Sequence, residues 1–251
     1  MYVGVDGCPG GWIAVAYSEG SYMDADHYGS IEGLWEAYEE KAESILIDVP
    51  IGLREDSNKP RPCDTAARKK LSPRRHNSVF PPPVRAAVHE NSYEQAKATQ
   101  EERTDGSLGV QSWGIAKQIA ELDTFLRKTR PEAKEVICEA HPEVCFWALN
   151  GKQAMNYSKT GQPAAAFWER ITVLEGIDSN ILEGLRNAST DFNLKIRNDD
   201  VVDAFALAVT ASPMTGSSRR LPDEWPDGDE GDPTGELPMK IRYAFPKNDP
   251  Q

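Results

Sequence analysis

Two short apolar runs early in the chain each lead into an aspartate, and this feature constrains the fold most. Tyr2 to Val5 runs into Asp6, and Ile45 to Val49 contains Asp48. Short β-branched runs predict buried strands, and neighbouring parallel strands open a ligand crevice at their carboxyl ends. Two carboxylates there repel one another unless a cation or a proton offsets their charge. Taken singly, Asp6 could cap the glycine-rich turn that follows it, and Asp48 could bond backbone amides.

Further strand patterns place these two runs in one mixed sheet. Trp12 to Tyr17 and Tyr22 to Tyr28 follow the first run after tight turns, which predicts an antiparallel three-strand meander. Glu135 to Ala140 predicts a fifth strand, and Ser30 can cap a helix between strands. The chain is therefore predicted to be an α/β protein with a five-stranded mixed sheet flanked by helices.

The length of 251 residues suits one domain, here predicted to span 1–251. Residues 50–133 are interrupted by prolines and predict a large helical insertion over the sheet. Residues 212–238 are rich in Pro, Gly and Asp and are predicted to be loosely ordered. Helices are predicted near Cys63–Leu71, Tyr93–Glu102, Gly114–Lys128, Glu143–Leu149, Ala164–Glu175, Asn180–Asn187 and Asp199–Ala211, with a last edge strand at Met239–Ala244.

A third group of acids opens the helix at Asp199. Asp200 and Asp203 are three residues apart, so their side chains share one helix face. Acids at a helix N-terminus also interact favourably with the helix dipole, which alone explains Asp199 and Asp200. Asp203 lies one turn further in, beside the apolar face, and is the stronger candidate ligand.

A fourth group lies where a strand gives way to a helix, at Cys138 to Glu143. Glu139 and His141 point to the same side of an extended strand, so Glu139 is a further candidate catalytic residue. His141 could shuttle a proton or contact substrate, although a histidine before proline is more often structural. Glu143 fits a first-turn carboxylate of the helix.

Charge is distributed unevenly along the chain. The net charge of −12 opposes non-specific attraction to nucleic acid, and a high-salt cytoplasm would also favour such a surface. Residues 59–85 hold eight basic residues and one acid, a local charge of +7. This stretch, which includes Arg68 and Arg85, could bind nucleic-acid or nucleotide phosphates, or it could be a solvated surface.

The four cysteines form no metal-binding spacing and are expected to be reduced thiols, which favours a cytoplasmic location. Cys8 could act as a nucleophile, but no partner histidine follows from the spacing. No apolar run approaches the roughly 20 residues that a membrane span needs, and no export signal precedes the first strand.

Six blocks, in this order, resemble the domain-of-unknown-function family 429: Gly4–Trp12, Ile47–Leu53, Cys63–Asp64 with Arg68, Ser78–Arg85, Glu139–Glu143 and Asp199–Ala204. Proteins of that family are commonly described as predicted nucleases of RNase H-like fold. The resemblance extends over nearly the whole chain and implies that fold here.

A more distant resemblance connects the chain to the RuvC-type Holliday-junction resolvases. Their first-strand aspartate, central-strand carboxylate and Asp-x-x-Asp-Ala helix match Asp6, Asp48 and Asp200 with Asp203, although the central-strand residue here is Asp where theirs is Glu. The resemblance implies two-metal phosphodiester hydrolysis with Mg²⁺ or Mn²⁺. Asp6 would bridge both ions, Asp48 would bind one, and Asp200 or Asp203 the other, while Lys159 or Arg85 would contact a phosphate.

Two other functions remain open from the sequence. A non-catalytic RNase H-like binding module would keep the fold without turnover, and metal-dependent cleavage would distinguish the two. An actin- or sugar-kinase-like phosphotransferase would need a duplicated domain and a second phosphate loop, and neither is present in the 251 residues. The substrate (DNA, RNA, a junction or a nucleotide) and the oligomeric state do not follow from the sequence.

Overall fold

The computed structural model describes residues 1–191, 196–229 and 231–247. Its centre is a five-stranded sheet in the order β3-β2-β1-β4-β5, which confirms the predicted α/β class and mixed five-stranded sheet. The strands are β1 Tyr2–Cys8, β2 Gly11–Ser18, β3 Ser21–Tyr28, β4 Ser44–Ile47 and β5 Ile137–Glu139, with β6 Arg219–Leu221 and β7 Ile241–Tyr243 in a second, two-stranded sheet. The helices are α1 Ile31–Tyr38, α2 Pro62–Leu71, α3 Arg85–Val88, α4 Tyr93–Arg103, α5 Val110–Gly114, α6 Ala116–Thr124, α7 Pro142–Leu149, α8 Pro163–Glu175, α9 Ile181–Asp191 and α10 Asn198–Ala211.

The register of the sheet aligns the carboxyl ends of three strands. The strands β1, β2 and β3 form the antiparallel meander, whereas β4 runs parallel to both β1 and β5. Val5 lies opposite Ile47, and Ile47 lies opposite Glu139. The residues that follow these positions therefore emerge side by side at one edge of the sheet.

Alternation along the strands gives the sheet two apolar faces. Val3 and Val5 of β1 face the cluster that includes α1 and α6, together with Trp12 of β2. On the opposite face, Ile13 and Tyr17 of β2 belong to the cluster that includes α10. Period-two alternation accounts for this division, because successive side chains of a strand point to opposite faces.

Gly4 lets α10 approach β1 closely. A Cβ atom at this position would lie 2.1 Å from the carbonyl oxygen of Ala204 and 2.2 Å from the amide nitrogen of Ala208, which no side chain tolerates. The small residue therefore brings the helix backbone directly onto the first strand. This contact lies two residues from Asp6 in β1 and one residue from Asp203 in α10.

The insertion and the C-terminal part differ from prediction in two places. The helix predicted at 114–128 is present as α6 and the π-helical turn Phe125–Thr129 that continues it, but a short unpredicted helix, α5, precedes it. Ile115, whose ψ of 6° departs from helical geometry, separates the two. The predicted last strand exists as β7, but it pairs with β6, which was not predicted. A single bridge between Ala140 and Arg242 connects β7 to the main sheet.

Within the segment predicted to be loosely ordered, two acids are held by ion pairs. Asp229 accepts hydrogen bonds from Arg54, and Asp232 bonds Arg85 and the backbone amide of Leu53. Both carboxylates are buried. This part of the segment is thus anchored to the loop that begins the insertion.

Candidate metal centre

Three carboxylates from different elements meet at the carboxyl end of β1 and β4. Asp6 lies in β1, Asp48 directly follows β4, and Asp203 lies in the second turn of α10. Each offers one oxygen, and these oxygens all lie within 4.8 Å of one another. The amide of Asp48 donates to the carbonyl of Val5 (2.9 Å), which continues the parallel ladder and holds Asp48 beside β1. The backbone therefore fixes this acidic triad, Asp6, Asp48 and Asp203, in place.

Burial raises the pKa of every member of the acidic triad, and the charges of neighbouring carboxylates add to this rise. The pKa of Asp6 lies well above its usual range because of burial first, then the charges of Asp48 and Asp203. Burial also raises the pKa of Asp48 to about 6, against a lowering influence from His141. Burial raises the pKa of Asp203, although Lys159 opposes the shift. A cation among these oxygens would relieve the unfavourable charge.

Lys159 already neutralises part of this charge. Its ammonium group bonds Oδ2 of Asp203, and although burial opposes the charge, Asp203 and Glu143 raise the pKa of Lys159. Oδ1 of Asp203 is buried and has no hydrogen-bond partner in the described part of the chain. An unpartnered buried carboxylate oxygen beside two further carboxylates is a donor set of the kind that hard divalent cations bind. The residues present fit Mg²⁺ or Mn²⁺.

The acidic triad lines a cavity of about 370 Å³. Apolar residues such as Phe80 and Ile115 form part of its other walls, together with the cations Lys159 and Arg75 and the polar Gln118. Arg75 has a buried Nε without a partner in the described residues, while its Nη2 donates to the carbonyl of Asn156 (3.4 Å). The cavity therefore combines a carboxylate cluster with cationic side chains that can face an anion.

Glu139 lines the same cavity, but its oxygens are occupied. Arg61 donates to both of them, at 2.9 and 2.6 Å, and the amide of Ile51 donates at 2.7 Å. Arg61 also bonds both oxygens of Asp64 (2.8 and 2.7 Å), and all three side chains are buried. Glu139 thus lies in an ion-paired support for the loop after Asp48, outside the acidic triad, and its catalytic role stays a prediction.

His141 also lines the cavity and caps α7. Its Nδ1 accepts from the amide of Glu143 (3.2 Å), so the proton of the neutral ring lies on Nε2, 3.3 Å from the carbonyl of Ser78. Both ring nitrogens have structural partners. This arrangement favours the structural role over proton shuttling.

A comparison with models of protein families identifies the family of this chain. The family model described as protein of unknown function (DUF429) matches residues 4–227. The chain belongs to the DUF429 family. No curated protein and no solved structure gives a match. The matched range of this DUF429 chain includes the acidic triad and Lys159, whereas β7 lies beyond it.

Asp200 lies near the acidic triad of this DUF429 protein, but not within it. Its oxygens are outside the group of mutually close ligand atoms. Burial, followed by the charge of Asp199, raises the pKa of Asp200 to about 6, and Asp200 in turn helps to raise the pKa of Asp6. Between the two candidates on α10, the structure brings Asp203 to the centre and leaves Asp200 as an electrostatic neighbour.

Most basic side chains of the stretch at 59–85 form ion pairs or hydrogen bonds within the protein. Arg85 is buried against Glu55, Asp123 and Asp232, and it does not line the cavity. Arg68 donates to the carbonyl of Val79 and is likewise absent from the cavity walls. The expectation that Arg68 and Arg85 contact substrate at this site therefore does not fit their positions, and Arg75 is the arginine of this stretch with an unpartnered atom there.

The structure contradicts a Cys8 nucleophile. The Cys8 side chain is buried, and burial together with the charges of Asp200 and Asp6 raises the pKa of its thiol to about 11. A thiol with such a pKa stays protonated at neutral pH and is a poor nucleophile.

Sequence reasoning missed the role of Glu143. It is almost fully buried and pairs with Arg170, while its Oε2 has no partner in the described part of the chain. Its charge influences both Asp48 and Asp203. The first-turn position accounts for an acid at residue 143, and only the packing of α8 against α7 reveals that this acid is buried beside the triad.

Proposed function

We propose that this protein is a divalent-metal-dependent nuclease of RNase H-like fold that hydrolyses phosphodiester bonds. The observation that carries the proposal is the convergence of Asp6, Asp48 and Asp203 within 4.8 Å at the carboxyl end of two parallel strands. The sheet order β3-β2-β1-β4-β5, with three antiparallel and two parallel strands, supports the RNase H-like part of the proposal.

Asp6, Asp48 and Asp203 would hold the metal. Their oxygens are hard ligands, which favours Mg²⁺ or Mn²⁺. Such an ion, when bound, lowers the pKa of a coordinated water and polarises a phosphoryl oxygen; a pair of ions would also stabilise the leaving oxygen. Oδ1 of Asp203, which has no hydrogen-bond partner among the described residues, could bind such an ion without losing a hydrogen bond.

The side chains around the acidic triad fit a phosphate. Lys159 is held at Asp203 and can donate to a phosphate oxygen that enters the cavity. Arg75 lines the same cavity and offers a guanidinium group on another wall. These cations would orient the phosphate and offset its charge, which an acidic cluster alone would repel.

Substitution of Asp6 tests the proposal. Asp6→Asn keeps the shape of the side chain and removes one ligand charge, so we expect it to abolish Mn²⁺-dependent cleavage of labelled DNA or RNA while the circular dichroism spectrum stays unchanged. Asp105→Asn, at an exposed site, is the matched control and should cleave like wild type. Cleavage by the Asp6→Asn protein at the wild-type rate would refute the metal site. Binding without cleavage by the wild-type protein would favour the non-catalytic module.

A further inference from the structure

The β6–β7 hairpin and its flanks carry a concentration of positive charge that the sequence analysis did not single out. None of its cations forms an ion pair with an acidic residue of the described chain, although the whole protein has a net charge of −12. We call this group the basic hairpin; it consists of Lys152, Arg219, Arg220, Lys240, Arg242 and Lys247.

One part of the basic hairpin is a cluster of like charges across two strands. Arg220 of β6 lies directly opposite Arg242 of β7, and Lys240 is two residues from Arg242 on the same face. Like charges in directly opposed positions destabilise a strand pair. The pKa of Lys240 is lowered, by burial first and then by Arg220 and Arg242. The cluster is therefore unfavourable for the fold on its own.

The other part surrounds the ring of Phe245. The Nζ of Lys152 lies 5.0 Å from the ring centroid, and the guanidinium carbon of Arg219 lies 5.1 Å from it. These two residues and Lys247 line a cavity of about 430 Å³, whose described lining residues include no acid. A cavity with several cationic walls and an aromatic floor is suited to a phosphate group.

Internal neutralisation, which accounts for the basic stretch at 59–85, does not operate here. Lys59 and Lys70 of that stretch bond Asp229 and Asp223. Asp223 is close enough to Arg219 to interact electrostatically with it, but its carboxylate bonds Lys70 and the hydroxyl of Tyr243. Within the described ranges 1–191, 196–229 and 231–247, the cations of the basic hairpin therefore form no ion pair, and they can bind an anionic partner.

The basic hairpin adjoins the cavity of the acidic triad. Arg242 is bridged to Ala140, and both Ala140 and Ile241 line that cavity. We propose that the basic hairpin binds the backbone phosphates of a nucleic-acid strand whose neighbouring phosphodiester lies at the acidic triad. The identity of this polyanion rests on the proposed nuclease function, whereas the binding surface rests on the cations themselves.

Salt-dependent binding tests the inference. The variant Lys152→Ala/Arg219→Ala/Arg220→Ala removes three exposed cations of the basic hairpin. With EDTA present, we expect its affinity for a fluorescein-labelled single-stranded oligonucleotide to fall at least tenfold at low salt. The slope of log affinity against log salt should fall by about 2 to 3, because each lost phosphate contact removes roughly 0.7 to 0.9.

The matched control is Lys128→Ala/Lys134→Ala/Arg186→Ala, which changes the net charge equally at exposed sites elsewhere. It should bind the oligonucleotide within a factor of two or three of wild type, since a general change of charge is a weak long-range effect. Equal losses in both variants, or an unchanged salt slope, would overturn the inference. So would a basic hairpin that binds vesicles containing phosphatidylserine but not the oligonucleotide.

Thermal melting checks that a loss of binding does not come from a loss of fold. Removing Arg220 relieves its repulsion with Arg242, so we expect the free variant to melt at the wild-type temperature or above it. The two proposals fail separately. If the basic-hairpin variant binds more weakly but the wild-type protein shows no metal-dependent cleavage, the binding surface is supported and the nuclease function is refuted. If the wild-type protein cleaves nucleic acid but the variant binds it as wild type does, the nuclease function is supported and the binding surface is refuted.

Discussion

Asp203 shows how a single position distinguishes a functional acid from a helix cap. Asp199 bonds Arg197 at the exposed start of α10, as an N-terminal acid does. Asp203 is one turn further in and buried, where alanine would have the better helix propensity, by roughly 0.5 kcal/mol. It is buried beside Asp6 and Asp48, a position that helix capping does not explain. The sequence identified Asp203 as the more informative residue because capping did not explain it.

Metal affinity should separate Asp203 from Asp200. We expect Asp203→Asn to weaken Mn²⁺ binding by more than the roughly 10- to 100-fold that loss of an outer partner costs, since it removes a ligand charge. Asp200→Asn, the matched control on the same helix, should weaken binding by about tenfold or less, because only its electrostatic influence on Asp6 is lost. The shift in melting temperature on Mn²⁺ addition measures both. Similar shifts in the two variants would place Asp203 outside the coordination shell.

One acidic residue that the motifs indicated as a candidate, Glu139, does not belong to the acidic triad. Glu139 ends β5 beside the acidic triad, so its position along the strand fits a ligand. The side chain instead bonds Arg61, which lies 78 residues earlier in the chain. Spacing within a motif does not encode a partner at that distance. The backbone positions of the site were therefore predictable from strand ends, whereas the division between ligands and ion pairs was not.

Elements with a strong apolar pattern were predicted closely, and those without one were not. The structure has α2 at Pro62–Leu71 and α10 at Asn198–Ala211, within one residue of the predicted bounds. In α2 the buried Cys63, Ala67 and Leu71 recur at helical spacing, whereas in α10 every residue from Val201 to Thr210 is buried. The short strand β6 begins with two exposed arginines and has one buried side chain. Pairing with β7, a long-range contact, makes it a strand.

Arg61 joins three elements, and its loss should be costly. It bonds Asp64 in α2, Glu139 in β5 and the carbonyls of Ile51 and Gly52 in the intervening loop. Burial lowers the pKa of Arg61, but Asp64 and Glu139 outweigh it and raise the pKa well above its usual value. The residue therefore stays charged and holds two buried carboxylates.

We expect Arg61→Met to lower the free energy of unfolding by about 3 to 5 kcal/mol, because it leaves two buried carboxylates without a cation. Arg103→Met is the matched control, since Arg103 pairs with Asp56 at an exposed site, where water screens the pair and its loss should change the free energy of unfolding little. Urea denaturation measures both values. A loss in Arg61→Met no larger than in the control would show that the carboxylates find other partners or become protonated at little cost.

At the scale of the whole molecule, basic residues of one segment pair with acidic residues of other segments, which the composition did not reveal. The +7 stretch at 59–85 predicted a basic surface, but Lys59, Arg61 and Arg85 face acids of the chain. The acidic C-terminal segment supplies Asp229 to Lys59 and Asp232 to Arg85. Arg85 and Asp232, which carry opposite charges, are about 150 residues apart in the sequence, and folding brings them together.

Among the described residues, no helix has the length and apolar character that a membrane span requires.

Two groups of carboxyls give the stability of the metal-free protein opposite dependences on pH. Asp123 and Asp232 have lowered pKa values because cationic and hydrogen-bonding partners outweigh burial, so their contribution is present above about pH 4 and lost below it. Burial raises the pKa of Asp6 and brings that of Asp48 to about 6. The contribution of Asp48 is complete below about pH 4 and is lost as the pH rises through about 6, and that of Asp6 is lost as the pH rises through its raised pKa. The window from about pH 4 to 7 therefore includes the titration of Asp48, together with that of Asp200, whose pKa burial raises to about 6, and of Glu139, whose pKa burial raises to about 7.

Thermal melting across that window should reveal the acidic triad in the intact protein. With EDTA, we expect the melting temperature to fall as the pH rises from about 5 to 7, because the buried carboxyls lose their protons and repel one another. With Mg²⁺, the metal-induced rise in melting temperature should grow over the same range, since the ion competes with protons for the same oxygens. In Asp6→Asn, which cannot ionise at that position, both trends should flatten; Asp105→Asn should behave like wild type. A metal-induced rise that is equally large at pH 5 and pH 7 would mean that Mg²⁺ binds away from Asp6, Asp48 and Asp203.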